Sequence, residues 1–98
     1  MFENQINAAI QVLPRSPGIH PYTIVDEAID EIKNSGMKYK VCPFETVVEG
    51  SYDNIISLLK KISTRCFSGG AEELLINIKL QIRKDGNVTM EEKIGKYS

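Results

Sequence analysis

Residues 38–50, Lys38-Tyr39-Lys40-Val41-Cys42-Pro43-Phe44-Glu45-Thr46-Val47-Val48-Glu49-Gly50, decide the fold. Two short runs of alternating residues, 38–43 and 46–49, meet at Pro43-Phe44-Glu45. Alternation at period two marks half-buried strands, and two such runs around a proline-led break read as a hairpin. On its N-terminal side the chain reads as strand then helix. On its C-terminal side the chain reads as helix then strand.

Upstream, Ile6, Ala8, Ile10 and Val12 alternate with Asn7, Ala9, Gln11 and Leu13, again a strand. Pro14-Arg15-Ser16-Pro17-Gly18 is expected to stop it, because proline cannot donate to a ladder. A helix is predicted from Pro21, whose missing N–H is no loss in a first turn. Ile24, Val25, Ala28, Ile29 and Ile32 form its apolar stripe. Asn34-Ser35-Gly36 is its stop, with Gly36 free to take the left-handed cap conformation.

Downstream, Ser51 suits a helix N-cap and Asp53 the first turn, where the helix dipole favours an anion. Ile55, Ile56, Leu59, Ile62, Cys66 and Phe67 are the expected stripe, and Gly69-Gly70 the end. Residues 74–83 form the longest predicted strand, with Leu74, Ile76, Ile78, Leu80 and Ile82 on one side. Leu75, Asn77, Lys79, Gln81 and Arg83 take the other side. Residues 84–87 read as a turn and 90–97 as a short final helix.

The order β-α-β-β-α-β is the split βαβ pattern of a ferredoxin-like α+β domain. Right-handed crossovers put both helices on one face of a four-stranded antiparallel sheet. The phases assign Ile6, Ala8, Ile10, Val12, Tyr39, Val41, Thr46, Val48 and the Leu74–Ile82 apolar set, Ile78 included, to the space under the helices. Asn7, Ala9, Gln11, Lys38, Lys40, Cys42, Val47, Glu49, Asn77, Lys79 and Gln81 fall on the reverse face, which no element is expected to cover. Such a face is either solvated or packed against a second subunit, with room for a polar ligand between them. The sequence leaves both open.

The 98 residues make one domain, 1–98. A net charge of −1 gives no bulk attraction to nucleic acid or to an anionic membrane. The N-terminus lacks a basic n-region and an apolar run, and no window approaches the roughly 20 apolar residues of a membrane span. A cytoplasmic protein with reduced thiols is expected. Cys42 and Cys66 have no CxxC partner, His20 is the lone histidine, and no metal-ligand spacing occurs, so neither metal nor cofactor is expected. Gly69-Gly70 follows a helix, whereas a phosphate-cradling loop precedes one. Lys38, Tyr39 and Lys40 could suggest RNA stacking, but the aromatic consensus of an RNA-binding sheet is missing from residues 74–83. Glu49, beside the amides of Asn7 and Asn77, reads either as a solvated strand-end glutamate or as a ligand-binding carboxylate. A carboxylate can hold a ring nitrogen and an amino group by two directional hydrogen bonds.

The runs Ser35-Gly36-Met37-Lys38-Tyr39, Pro43 to Gly50 and Tyr52-Asp53 resemble the signature of the small thiamine-binding protein family, S-G-[LM]-K-Y … P-x-x-T-x-[IV]-E-G-x-[WY]-D. Val12-Leu13-Pro14 and Gly70-Ala71 fit the same pattern. The likeness spans about residues 6–96, with Thr46, Glu49, Gly50 and Asp53 its specific part. It departs at Pro14 to Pro21, richer in proline than the family's first loop, and at Tyr52, where tryptophan is common. The resemblance implies a ferredoxin-like cytoplasmic module that binds thiamine or its hydroxymethyl-pyrimidine moiety without catalysis. It also implies self-association as a homodimer or homotetramer. Glu49, Thr46, Asn77, Asn7, Tyr39 and Phe44 are the candidate ligand-binding residues. Tyr39 or Phe44 would stack on a ring or meet the thiazolium cation, and Asn7 and Asn77 would fix the amino group. The competing reading is an oligomerisation or regulatory domain with no small-molecule ligand.

Overall fold

The computed structural model describes residues 4–97; Met1, Phe2, Glu3 and Ser98, part of the domain expected from the sequence, lie outside the described residues. The elements are β1 (Gln5–Arg15), α1 (Pro21–Asn34), β2 (Lys38–Val41), β3 (Thr46–Ser51), α2 (Tyr52–Ser68), β4 (Glu73–Gln81) and α3 (Met90–Ile94), followed by a 3-10 turn, Gly95–Tyr97. The described residues form a four-stranded sheet in the order β2-β3-β1-β4, with every pairing antiparallel. This is the ferredoxin-like α+β arrangement predicted from the sequence.

The core lies between one face of this sheet and the pair α1–α2. Ile6, Ala8, Ile10 and Val12 of β1 and Val48 of β3 meet Ile24, Ala28 and Ile32 of α1 and Ile55, Leu58, Ile62 and Cys66 of α2. Burying each large aliphatic side chain contributes about 1.5–3 kcal/mol. The α2 stripe is rotated from the expected one. Leu58 is buried, whereas Ile56 and Phe67 are exposed. Caps fix the helix ends. His20 Nδ1 accepts from Tyr22 N–H at 3.0 Å, and Ser51 Oγ accepts from Asn54 N–H at 3.2 Å. Gly36 takes φ 78° after the end of α1, a conformation that costs L side chains about 1–2 kcal/mol. Arg65 of α2 clamps the two helices, meeting Glu27 at 2.6 Å and Asp30 at 2.7 Å.

Three expectations need correction. β1 does not stop at Pro14 but runs through it to Arg15. Pairing with β3 ends at Ile10, so beyond that residue β1 has a strand neighbour on one side only. Proline is tolerated in such one-sided segments. Next, Ile78 and Leu80 do carry the helix-side phase, since Ile78 pairs with Ile10 and Leu80 with Ala8, and Ile82 lies just past the end of β4. Yet they are 36%, 37% and 41% exposed and do not lie under the helices. Here α2 leans on β3 and β1, and α1 on β1 and β2, which leaves the far half of the edge strand β4 outside their cover, while Leu74 and Ile76 still pack on the core.

The third correction concerns the reverse face, which is not bare. Beyond β4 the chain folds back so that Asn87 Oδ1 accepts from Gln5 N–H and Val88 N–H donates to Gln5 C=O. Val88 becomes fully buried, and α3 roofs one end of the face. Both early helices thus share one face, and a third, short helix sits on the other.

Candidate functional site

Strand register lays the reverse face out as rows. Lys38, Glu49, Asn7 and Gln81 form one row across the four strands. Lys40, Val47, Ala9 and Lys79 form the next. Gln11 and Asn77 pair beyond that, joined by an Asn77 Nδ2 to Gln11 Oε1 hydrogen bond of 3.1 Å.

α3 is anchored on the first row. Its first N–H, from Met90, donates to Glu49 Oε1 at 2.6 Å. The initial N–H groups of a helix have no partner within it, so a carboxylate here satisfies one and complements the dipole. Asn7 is 4% exposed. In the amide orientation that satisfies both neighbours, its nitrogen donates to Val88 C=O at 3.0 Å and its oxygen accepts from Lys93 Nζ at 2.8 Å. Lys93 Nζ also donates to Gln81 Oε1 at 2.6 Å.

A second set of contacts holds α3 from outside. Thr89 and Glu92 form a capping box, with Thr89 Oγ1 accepting from Glu92 N–H and Glu92 Oε1 accepting from Thr89 N–H. Arg83 grips both oxygens of Glu92, at 3.2 and 3.1 Å. That guanidinium, with help from the Thr89 N–H, holds the Glu92 carboxyl down at about 2.

Between α3 and the sheet lies a cleft of about 240 Å³ lined by Asn7, Lys40, Cys42, Val47, Met90, Lys93 and Ile94. Beside it, over Ala9, a shallower depression is bounded by Glu45, Lys79, Gln81 and Lys93. The walls combine apolar side chains with a few converging amide and ammonium groups, the make-up of a small-ligand site. A separate crevice of about 230 Å³ opens on the helix side, between α1 and the hairpin tip. Val25, Ile29, Val41 and Phe44 line it, and it offers a heterocycle little to hydrogen-bond.

The six candidate residues divide between these places. Asn7 lines the cleft. Glu49 sits beside it with its carboxylate spent on Met90 N–H. Asn77 is on the same face, but pairs with Gln11, four residues along β1 from Asn7 and roughly 13 Å away. Thr46 pairs with Ile10 and is buried on the helix side. Tyr39 pairs with Val48, also on that side. Phe44, at the exposed hairpin tip, lines the helix-side crevice. Residue-by-residue reading missed Met90, Lys93 and Ile94. The signal that could have raised their weight was Thr89-x-x-Glu92, a helix-start pattern.

Cys66 is buried, its Sγ 3.8 Å from the Ile24 carbonyl, and burial pushes its thiol pKa up. The described residues include no group of three or more His, Cys, Asp and Glu that could hold a metal ion. None of the described helices is long and apolar enough to cross a membrane.

The family model described as "Thiamine-binding protein" matches residues 8–98. The chain belongs to the thiamine-binding protein family. Its relatives include a UPF0045 protein of Clostridium perfringens, 37% identical over 93% of this chain and 95% of that one. A Bacillus cereus structure of the DUF77 domain of unknown function superposes with a TM-score of 0.92 at 34% identity, over 97% of this chain and 91% of that one. A Thermotoga maritima structure, provisionally assigned to thiamine biosynthesis or salvage, gives 0.86 at 29% identity, over 96% and 99%. Within the thiamine-binding family signature, Gly50 has a local physical reason. A Cβ there would collide with the Met37 side chain, which packs across that backbone. Glu49, next to it, tethers α3, so one motif both seats Met37 and hangs the roof.

Proposed function

We propose that this member of the thiamine-binding protein family binds thiamine or its hydroxymethyl-pyrimidine moiety in the cleft beneath α3, without catalysis, as a cytoplasmic homo-oligomer. The observation that carries the proposal is the cleft itself, with buried Asn7 at its base and Val47, Met90 and Ile94 along its walls. An aminopyrimidine needs one amide to read its edge and apolar matter against its faces. Asn7 supplies the first. The Met90 thioether, which packs favourably on aromatic rings, supplies part of the second. This shifts the ring contact from Tyr39 and Phe44 to Met90, with Glu49 acting through the helix it holds. Thr46 supports the hairpin from below, and Asn77 extends the polar face beyond the cleft.

Calorimetric titration of the intact chain with thiamine and with the hydroxymethyl-pyrimidine is the test. Heat that saturates, and that weakens in Asn7→Ala, supports the reading. No heat at high micromolar protein with either compound overturns it.

The oligomer rests on a different observation, the outer edge of β4. Antiparallel pairing of two copies about Ile78 sets Leu74 against the partner's Ile82 and Ile76 against the partner's Leu80. Sliding the register by one residue on each chain, about Lys79, would oppose Lys79 to itself. The register about Ile78 matches apolar to apolar along the edge without opposing like charges, the kind of pairing that stabilises sheets. Mass in solution tests it, and a monomer at high micromolar concentration would refute it.

A further inference from the structure

The row Lys40, Val47, Ala9 and Lys79 runs straight across the reverse face. Its two middle members are small and apolar, and its two ends are lysines. With strands spaced at about 4.8 Å, the end Cα atoms stand roughly 14 Å apart, enough for a flat ring to lie between them. α3 adds a third ammonium from above, since Lys93 lines both the cleft with Lys40 and the depression with Lys79. The ammonium of Lys93 is held by neutral amide oxygens, those of Asn7 and Gln81. Among the described residues no carboxylate pairs with Lys93 or Lys40, while Glu45, at the rim of the depression, meets Lys79 at 3.6 Å. Glu49 is occupied by the Met90 N–H. Three ammoniums against the carboxylates of Glu45 and Glu49 leave the trough a positive excess on a chain whose net charge is −1.

A free thiazolium cation would sit among like charges here, which Coulomb repulsion opposes. A phosphomonoester carries about −1.5 to −2 at neutral pH and three strong acceptor oxygens. We infer that the trough selects the phosphorylated form of the heterocycle, with the ring over Val47 and Ala9 and the phosphate among Lys40, Lys93 and Lys79. The inference rests on the binding reading above and specifies its ligand: a phosphate ester of the pyrimidine or of thiamine. Lys93, already oriented by two amide oxygens, is the fixed member of the trio. Lys40 and Lys79 close from either end.

The experiment is a calorimetric titration of the intact chain with four compounds: thiamine, thiamine monophosphate, the hydroxymethyl-pyrimidine and its phosphate ester. Each ester is expected to bind at least about tenfold more tightly than its parent at low salt. The preference should shrink as salt is raised to about 0.2 M, because charges at this face are screened. It should be lost in the double variant Lys40→Gln/Lys93→Gln and reduced in Lys79→Gln, which leaves the α3 anchor intact. Lys60→Gln, on the outer side of α2, should retain it. Which of the two esters binds more tightly identifies the source of the phosphate. Parents bound as tightly as their esters would overturn the inference and leave the thiamine reading standing. So would an ester preference that survives all the lysine substitutions. If none of the four binds, the binding reading itself falls.

Discussion

The two faces of the sheet use the same four strands and are closed in opposite ways. On one face, α1 and α2 bury a continuous set of isoleucines, valines and leucines. That closure is non-directional, driven by apolar area removed from water. On the other, α3 is held by a few directional contacts: Glu49 to Met90 N–H, Asn7 to Val88 and Lys93, and Arg83 to Glu92. Apart from Thr46, the first face is lined by apolar side chains and offers little chemistry. The second gives up packing and keeps amides, ammoniums and a cleft. Stability belongs mainly to the first, and the proposed recognition to the second. A short helix held by hydrogen bonds and charge opens at lower free energy than a global unfolding.

Four changes test that division. Ile62→Asp puts a carboxylate into the centre of the helix-covered core, where Ile62 is fully buried. An unpaired buried charge costs several kcal/mol, a large part of a small domain's stability. Loss of cooperative thermal unfolding by circular dichroism is expected. A well-folded variant would mean that this face is not the core.

Ile78→Asp has the same side-chain phase but lies at the uncovered edge. The chain should still fold, with a shift toward monomer in sedimentation; outright unfolding would place Ile78 back under the helices. Glu49→Gln keeps an acceptor but removes the charge at the start of α3. A loss of about 0.5–1.5 kcal/mol in the docking of residues 88–94 is expected from hydrogen exchange, with weaker ligand binding and the oligomer intact. Unchanged affinity would remove Glu49 from any part in the site.

The fourth change is acid. The Glu92 carboxyl is held from the ordinary 4.5 down to about 2 by Arg83. A depressed folded-state pKa contributes stability above the ordinary value and loses it as pH falls through the folded one. The α3 anchor should therefore loosen between about pH 4.5 and 2, ahead of the helix-covered core. Amide shifts of Thr89 and Glu92 followed down the titration would show it, and Glu92→Gln should abolish that step.

Much of the first face was legible in the sequence because its signals are periodic. Alternation in residues 6–13 and the stripe Ile24, Ala28, Ile32 are enforced over many positions. The rotation of the α2 stripe was not legible. Ile55 and Ile56 are adjacent, as are Leu58 and Leu59, and a period of 3.6 accommodates either member of each pair. Nor could the strand pattern show that Ile78, Leu80 and Ile82 lie beyond the helices, since phase reports a side of the sheet and not what covers it. The roof on the second face was hidden for a related reason. α3 spans five residues, too few for any periodicity, and its anchors Asn7 and Glu49 lie far before Met90 in the chain. Asn7, read from the sequence as a ligand-binding amide on an uncovered face, is buried beneath the returning chain at Val88 and α3.

The measurement that bears most directly on this account is a map of amide chemical-shift changes as the intact chain is titrated with the heterocycle and its phosphate ester. Changes centred on Asn7, Ala9, Lys40, Val47, Met90 and Lys93, with Val25, Ile29 and Phe44 unmoved, are predicted. Changes centred on Val25, Ile29 and Phe44 would put the ligand in the helix-side crevice and contradict it.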